Sequence, residues 1–277
     1  MPYLETPDGT SLFYRDWGSG RPVLFASGWA LSSVEFQYQM ASLVGHGYRA
    51  ISYDRRGHGR SDDPGVGYDY ETLASDLAAL IEHLGLSGLT LVGHSMAGGE
   101  IIRYLSRHGD ARVARIVLVA ATLPFPQRGD TNPMGIDPAV FDQAREQWRR
   151  DFGAWIQAGE APYFGDGLPG CSVCELSRVW TKADMLGTSL LAVIECNRAI
   201  TDTDFRDELR DVQVPALVIQ GDKDASIPIE LAGYRQHELL PNSRLVVYEN
   251  APHGLYLTHR DNLTEDLVAF IADEGPS

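Results

Sequence analysis

The feature that most constrains this chain is an apolar segment that runs directly into a glycine-rich turn. Residues 89–92 have the pattern of a strand, GHSMAGG follows at residues 93–99, and residues 96–108 have the pattern of a helix. A serine on a sharp turn between a strand and a helix is lifted out of the sheet with its hydroxyl exposed. The strained turn needs small residues two positions before and after the serine, which Gly93 and Ala97 supply. The pattern predicts that Ser95 is a nucleophile rather than an incidental helix cap.

A serine hydroxyl needs a histidine base before it attacks a carbonyl, and a carboxylate orients that base. Of the eight histidines, six precede Ser95 or lie in predicted helices. His253 follows the strand pattern at residues 245–248, in a loop at the carboxyl edge of the sheet where site residues gather. His259 lies at the start of the final helix. We therefore predict His253 as the base in preference to His259.

The carboxylate is predicted in the loop that follows another strand. The strand pattern at residues 214–219 runs into Gln220-Gly221-Asp222-Lys223-Asp224, which offers two aspartates. Asp222 stands beside a glycine and has the pattern of a turn-shaping residue. No carboxylate follows the strand that ends at Val119. We therefore favour Asp224 over Asp222 as the orienting acid.

Two backbone N–H groups must stabilise the oxyanion that forms when a serine attacks a carbonyl. One is expected from Met96, the residue after the nucleophile. The other is expected from the loop after the strand pattern at residues 22–26, which reads Ser27-Gly28-Trp29-Ala30. Trp29 is the predicted donor in this loop, since Gly28 allows the backbone to approach closely.

Short apolar strands alternate with helices along most of the chain. Further strand patterns occur at residues 11–17, 48–53 and 113–119, and helical patterns at residues 34–44, 70–84 and 263–271. Such alternation predicts an α/β fold with a mostly parallel sheet covered on both faces. The alternation stops after Ala121, and helical stretches near residues 138–159 and 182–199 follow. We predict a core of residues 1–121 and 206–277 and an inserted helical cap of residues 122–205.

Composition excludes several classes of partner. The net charge of −15 repels phosphate backbones, so we expect no nucleic acid partner. The N-terminus lacks the pattern of a secretory signal, and no apolar run is long enough for a membrane span. Cys171 and Cys174 form a single pair without the second pair that a four-ligand zinc site needs, so we predict a structural role and no metal. We expect a cytoplasmic location and no membrane association.

Several motifs carry a resemblance that covers nearly the whole chain. They are YDRRGHGRS at residues 53–61, GHSM at 93–96, GDKD at 221–224, APHGL at 251–255, and ECNRA with TDFR at 195–199 and 203–206. The chain resembles the α/β-hydrolase superfamily, and specifically the branch of cofactor-free bacterial haloperoxidases and aryl esterases. It departs from the family pattern at Ser27, where histidine is usual, and at Ala97, where glycine is usual. The cap around Cys171 and Cys174 matches this branch least.

The resemblance implies an α/β-hydrolase fold with eight strands and a serine esterase that acts through an acyl-enzyme, without metal, haem or other cofactor. Its small-molecule substrate would be a carboxylic ester or a lactone. A perhydrolase or haloperoxidase activity, in which peroxide replaces water, stays open. So do hydrolysis of amides or lactams and a ligand receptor with slow turnover. The sequence also leaves a homo-oligomer open.

The predicted cap is rich in aromatic residues that could line an apolar substrate pocket. Among them we select Trp148 and Trp180 as candidate substrate-binding residues.

Overall fold

A predominantly parallel sheet of eight strands forms the centre of the molecule. The computed structural model describes residues 2–273. Within them the strands are β1 (Tyr3–Glu5), β2 (Ser11–Gly18), β3 (Pro22–Ala26), β4 (Arg49–Tyr53), β5 (Leu89–His94), β6 (Val113–Val119), β7 (Ala216–Gly221) and β8 (Ser243–Tyr248). Their spatial order is β1-β2-β4-β3-β5-β6-β7-β8. The β1–β2 and β2–β4 pairs are antiparallel and the other pairs are parallel. The predicted eight-stranded, mostly parallel sheet is confirmed.

Helices cover both faces of this sheet. In the part of the chain that the structure describes they are α1 (Gln37–Gly45), α2 (Tyr70–His83), α3 (Ala97–His108), α4 (Pro138–Phe164), α5 (Glu175–Leu186), α6 (Leu190–Asp202), α7 (Arg206–Asp211), α8 (Gly233–Leu239), α9 (Leu255–Thr258) and α10 (Arg260–Ala272). None of them combines the length and the apolar character that crossing a membrane requires.

Alternate side chains of the central strands point to two separate cores. Leu24 of β3 packs in one cluster with Leu77 of α2 and Ile101 of α3. Its neighbour Phe25 packs in the other cluster, which contains residues of α1 and α10 such as Leu267. Because successive side chains of a strand face opposite sides, each strand joins both layers. This sandwich holds the carboxyl ends of β5, β7 and β8 at one edge of the sheet.

Helices α4, α5 and α6 lie between β6 and β7 in the chain and stand over the carboxyl edge. The second predicted helical stretch, residues 182–199, is corrected by the structure. Helix α5 already begins at Glu175, and residues 187–189 separate it from α6. The Ser189 N–H donates to the carbonyl oxygen of Gly57 in a core loop (2.8 Å). This amide therefore makes no intrahelical hydrogen bond, and the helix is interrupted there.

The amino-terminal hairpin contains one strand that the sequence patterns did not indicate. A turn at Asp8 and Gly9 joins its two strands, where Gly9 has a φ of 86° and donates its N–H to Thr6 O (2.9 Å). Strand β1 pairs with β2 through only three residues. So short a segment shows no alternation that a sequence pattern could reveal.

Candidate active site

Ser95 lies at the turn where β5 ends and α3 begins. Its φ of 53° is in the left-handed region, which non-glycine residues adopt rarely and at an energetic cost. A Cβ atom on Gly93 would come within 2.7 Å of the Ile101 side chain and within 3.0 Å of the Ala97 backbone. The turn therefore requires glycine at residue 93. It accommodates the extra methyl group of Ala97, which is fully buried.

Three predicted side chains from three loops converge at this turn. The Oγ atom of Ser95 lies 3.0 Å from Nε2 of His253, and Nδ1 of His253 lies 2.7 Å from Oδ2 of Asp224. All three residues are buried. These are hydrogen-bond distances, so the imidazole can take a proton from the serine while the carboxylate orients it.

The loop after β7 separates the two candidate aspartates. Asp224 accepts hydrogen bonds from the amides of Ser226 and Ile227 through Oδ1 (2.9 Å each), and from the Gln220 side chain through Oδ2 (2.9 Å). Asp222 instead accepts the backbone N–H of Asn250 (2.6 Å). The structure thus brings Asp224 to the imidazole, and Asp222 shapes the loop.

Two backbone amides next to the serine have no protein partner in the described part of the chain. The backbone N–H groups of Trp29 and Met96 donate to no other atom of residues 2–273, whereas the indole N–H of Trp29 donates to the carbonyl oxygen of Val193 (2.7 Å). Neighbouring amides are occupied, since Gly28 N donates to Glu35 Oε2 (2.7 Å) and Ser95 N donates to the last residue of β6 (2.9 Å). Both predicted oxyanion donors are therefore without a partner among the described residues.

A cavity of about 380 Å³ opens beside Ser95 and His253, between the sheet edge and α4–α6. Its wall is mostly apolar and aromatic. The rings of Trp29 and Trp148 lie 4.7 Å apart between centroids, and Trp155 packs edge-on against both. The other apolar residues of the wall include Leu31, Ile136, Val140, Phe141, Ile156, Tyr163, Met185, Ile200 and Ile227.

Comparison with known proteins agrees with this geometry. A family model described as an alpha/beta hydrolase fold matches residues 21–166, and a model described as a TAP-like protein matches residues 190–274. The chain belongs to the α/β-hydrolase family.

The relatives of this α/β hydrolase also agree with the branch that the motifs indicated. A non-heme haloperoxidase of Rhodococcus erythropolis is 41% identical over 275 residues, covering 98% of this chain and 99% of the relative. A bifunctional esterase/perhydrolase of Acinetobacter calcoaceticus is 37% identical over 277 residues, again covering 98% and 99%. The structure of an esterase from Exiguobacterium antarcticum superposes with a TM-score of 0.92 at 34% identity, covering 97% of this chain and 98% of that one.

The structure places the two predicted pocket tryptophans differently. Trp148 is buried and lines the cavity. Trp180 does not line the cavity, because its side chain is 43% exposed on the outer side of α5. The prediction that Trp180 binds substrate is therefore corrected. On the same helix Thr181 and Met185 face the cavity instead. The helical repeat places residue 180 on the opposite side from residue 185, because five residues correspond to about 500° of rotation.

Sequence reasoning missed the buried charges behind the site. Arg55 donates to the carbonyl oxygens of Ser27 and Gly28, and its guanidinium pairs with Glu100 of α3 (2.6 Å). Burial raises the pKa of the Glu100 carboxyl. Glu35 is buried on the same loop as Gly28 and accepts a hydrogen bond from the Gly28 N–H (2.7 Å). No motif connects these positions, since their contacts depend on how the loops pack.

No group of three His, Cys, Asp or Glu side chains among residues 2–273 is arranged to hold a metal ion. Cys171 donates its thiol hydrogen to the carbonyl oxygen of Asn250 (3.3 Å), and Cys174 is exposed immediately before α5. The contacts of Cys171 are consistent with the structural role predicted for it.

Proposed function

We propose that this chain hydrolyses carboxylic esters through an acyl-enzyme on Ser95, with His253 as the general base and Asp224 as the residue that orients it. The observation that carries the proposal is the continuous chain of hydrogen bonds from Ser95 Oγ through His253 to Asp224, at 3.0 and 2.7 Å. An esterase of similar structure and an esterase/perhydrolase of similar sequence support it.

In the first half of the reaction, Ser95 Oγ attacks the ester carbonyl carbon and its proton moves to Nε2 of His253. The carboxylate of Asp224 stabilises the imidazolium, and the amides of Trp29 and Met96 donate to the oxyanion. The carbon–oxygen bond to the leaving alcohol then breaks, and the alcohol takes the proton from His253. The acyl group is left on Ser95.

In the second half, water loses a proton to His253 as it attacks the acyl carbonyl carbon. The bond between this carbon and Ser95 Oγ breaks, and the serine recovers its proton from His253. The products are the carboxylic acid and the free enzyme. Every step uses only side chains and amides of this chain, and no cofactor is needed.

The substrate that we propose is a small ester or lactone with an apolar acyl or alcohol group. The cavity beside Ser95 has the size of a small-ligand pocket and an aromatic wall that includes Trp148. Its apolar wall favours aryl or alkyl groups over strongly charged ones because burying a charge without a partner is costly.

A second candidate function is perhydrolysis, which the similarity to non-heme haloperoxidases and to an esterase/perhydrolase favours. Hydrogen peroxide would take the place of water and attack the acyl-enzyme, releasing a peracid and free Ser95. The peracid would then oxidise bromide to hypobromous acid and return to the carboxylic acid. Bromination that requires acetate, peroxide and Ser95 together tests this candidate.

The domain division is part of the proposal. We propose that residues 122–205 act as a cap that shapes the cavity, and that residues 1–121 and 206–277 form the catalytic core, of which residues 1 and 274–277 lie outside the described part. The cytoplasmic location and a homo-oligomer stay predictions from the sequence.

The direct test compares wild type with Ser95→Ala on p-nitrophenyl acetate and p-nitrophenyl butyrate. We expect the variant to lose at least about 10³-fold in kcat, since the nucleophile is absent while the fold is retained. Circular dichroism and thermal unfolding of both proteins provide the control for folding. Equal rates for the two proteins would contradict the proposal.

A further inference from the structure

A buried pair of charged residues connects the two loops that flank Ser95. Glu35 lies just before α1, and its Oε2 atom accepts the Gly28 N–H at 2.7 Å. Its other oxygen, Oε1, lies 2.6 Å from Nδ1 of His94. On the opposite side of the ring, Nε2 of His94 lies 3.2 Å from the carbonyl oxygen of His253. One carboxylate and one imidazole thus link the loop before Trp29, the residue before the nucleophile and the loop of the base.

The partners of His94 decide its protonation. The carbonyl oxygen of His253 is an acceptor only, so Nε2 must carry a hydrogen to bond it. Nδ1 and Glu35 Oε1 lie at ion-pair distance but do not form a hydrogen bond, so what joins them is the attraction of opposite charges. A neutral imidazole has one N–H and would leave a lone pair facing one of these oxygens. The geometry therefore assigns His94 as an imidazolium that pairs with Glu35.

We infer that Glu35 and His94 are positioning residues, which hold the Trp29 amide and the His253 imidazole in place around Ser95. The inference rests on the proposed ester hydrolysis at Ser95. Neither residue donates to the oxyanion or takes the serine proton. They act through Gly28 on one side and through the carbonyl oxygen of His253 on the other.

The pair is buried and closely packed against the Gly28 backbone. Glu35 and His94 are both buried, and a Cβ atom on Gly28 would lie 2.7 Å from Nδ1 of His94. The glycine that the sequence suggested for close backbone approach is thus also required by the imidazole. A small displacement of this ring would move the loop that carries the Trp29 amide.

Titratable groups from four parts of the chain surround the His94 ring. Glu35 precedes α1, Asp224 and His253 belong to the loops after β7 and β8, and the Tyr256 ring of α9 lies 5.4 Å from the His94 ring. Burial alone would lower the pKa of His94, but the charges of Glu35 and Asp224 outweigh burial and raise it. The charged state of His94 is therefore maintained to higher pH than that of a solvated histidine.

The kinetic test is the pH dependence of ester hydrolysis in Glu35→Gln. This change keeps the size of the side chain and removes its charge, so His94 loses its proton at lower pH. We expect the alkaline limb of the plot of kcat against pH to move to lower pH by at least about one unit. One unit corresponds to a tenfold change in the protonation equilibrium of His94. At pH values above this limb, kcat of Glu35→Gln should be roughly tenfold or more below that of wild type, since displaced catalytic groups slow the reaction. KM should change less than kcat.

Two further variants distinguish positioning from a general loss of stability. Glu35→Asp keeps the charge, so its alkaline limb should stay closer to that of wild type even if kcat falls. Asp76→Asn removes a buried carboxylate of α2 that pairs with Arg56 (2.7 Å) away from the site, so stability falls and the pH profile is unchanged. A Glu35→Gln profile parallel to that of wild type at all pH values would overturn the inference.

Nitrogen-15 spectroscopy of the His94 ring provides a readout that does not depend on activity. In wild type both ring nitrogens should show the imidazolium shift above pH 7, and in Glu35→Gln this signal should convert to that of a neutral ring at lower pH. A neutral His94 in wild type at pH 7 would overturn the inference. If wild type and Ser95→Ala hydrolysed esters equally, the proposed function would fail, and this measurement would still decide the state of His94.

Discussion

The core loops and the cap helices meet at one cavity, but they are held in place by different kinds of contact. In the core, Ser95, Asp224 and His253 lie on loops whose polar groups are buried and hydrogen-bonded. In the cap, aromatic packing dominates, and ion pairs such as Glu160–Lys182 (2.6 Å) lie partly in contact with solvent. Buried hydrogen-bond networks fix geometry, whereas packed apolar surfaces tolerate changes of shape.

This difference separates the proposed reaction from the choice of substrate. Changes in the core loops should lower kcat because they displace groups that act in the transition state. Changes in the cap should alter KM and substrate preference, since under the proposed function the side chains of α4–α6 would contact the parts of the substrate that do not react.

The largest effect among the residues around Ser95 is expected for Asp224→Asn. The amide carries no charge to stabilise the His253 imidazolium and can favour the wrong tautomer of the ring. We expect kcat to fall by about 10²- to 10⁴-fold, measured on p-nitrophenyl butyrate. Asp222→Asn is the matched control, and its kcat should change less than threefold or so, because loop-shaping residues away from the chemistry act only indirectly. A larger loss in Asp222→Asn than in Asp224→Asn would reverse the assignment of the acid.

Gly28→Ala should have the next largest effect. Its Cβ atom would lie 2.7 Å from Nδ1 of His94, so the loop that carries the Trp29 amide must move. A displacement of about 1 Å lowers kcat by roughly 10- to 100-fold. Gly45→Ala at the end of α1 is the control, since no atom lies within 4 Å of the added Cβ. Full activity in Gly28→Ala would show that the oxyanion loop is not held as described.

Trp148→Phe tests the cap side of the comparison. Trp148 lines the cavity, and its buried Nε1 has no hydrogen-bond partner among the described residues, so phenylalanine removes volume without breaking a bond. The enlarged cavity should accept one or two more carbon atoms of the substrate. We therefore expect the ratio of KM for long-chain and aryl esters to KM for the acetate ester to fall by up to about tenfold. The exposed Trp180 is the control: Trp180→Phe should leave this preference unchanged. A large loss of kcat in Trp148→Phe would contradict the separation of the two regions.

Asp184→Asn should change stability rather than catalysis. Asp184 of α5 accepts hydrogen bonds from the Ser32 amide (2.9 Å) and hydroxyl (2.5 Å), and burial raises its pKa from 3.8 to about 6. A carboxyl with a raised pKa binds its proton more tightly in the folded chain, so stability falls as pH rises from about 4 to 6 and is then constant.

Urea unfolding at pH 4, 5, 6 and 7 measures this effect. Relative to wild type, Asp184→Asn should gain stability as pH rises through this range, by at most about 3 kcal/mol at pH 7. Its kcat should remain close to that of wild type. A constant difference in unfolding free energy at all four pH values would contradict the burial of this carboxylate between cap and core.

The same contrast explains which features the sequence could reveal. Strand β5 and the turn at Ser95 carry a local pattern, and the loops of Asp224 and His253 each follow a recognisable strand. Fold and family were therefore predicted correctly. The orientation of Trp180 and the break between α5 and α6 depend on packing against the core, which no short pattern encodes. The Glu35–His94 pair joins residues 59 positions apart and becomes visible only when the loops are folded together.

The most direct test of the central claim is covalent labelling of the nucleophile. Wild type incubated with a fluorophosphonate ester should gain the mass of one phosphonyl group, and peptide mapping should locate it on Ser95. Its esterase activity should disappear in proportion to labelling, and Ser95→Ala should remain unlabelled. A label on another residue, or full activity in the fully labelled protein, would contradict the assignment of Ser95 as the nucleophile.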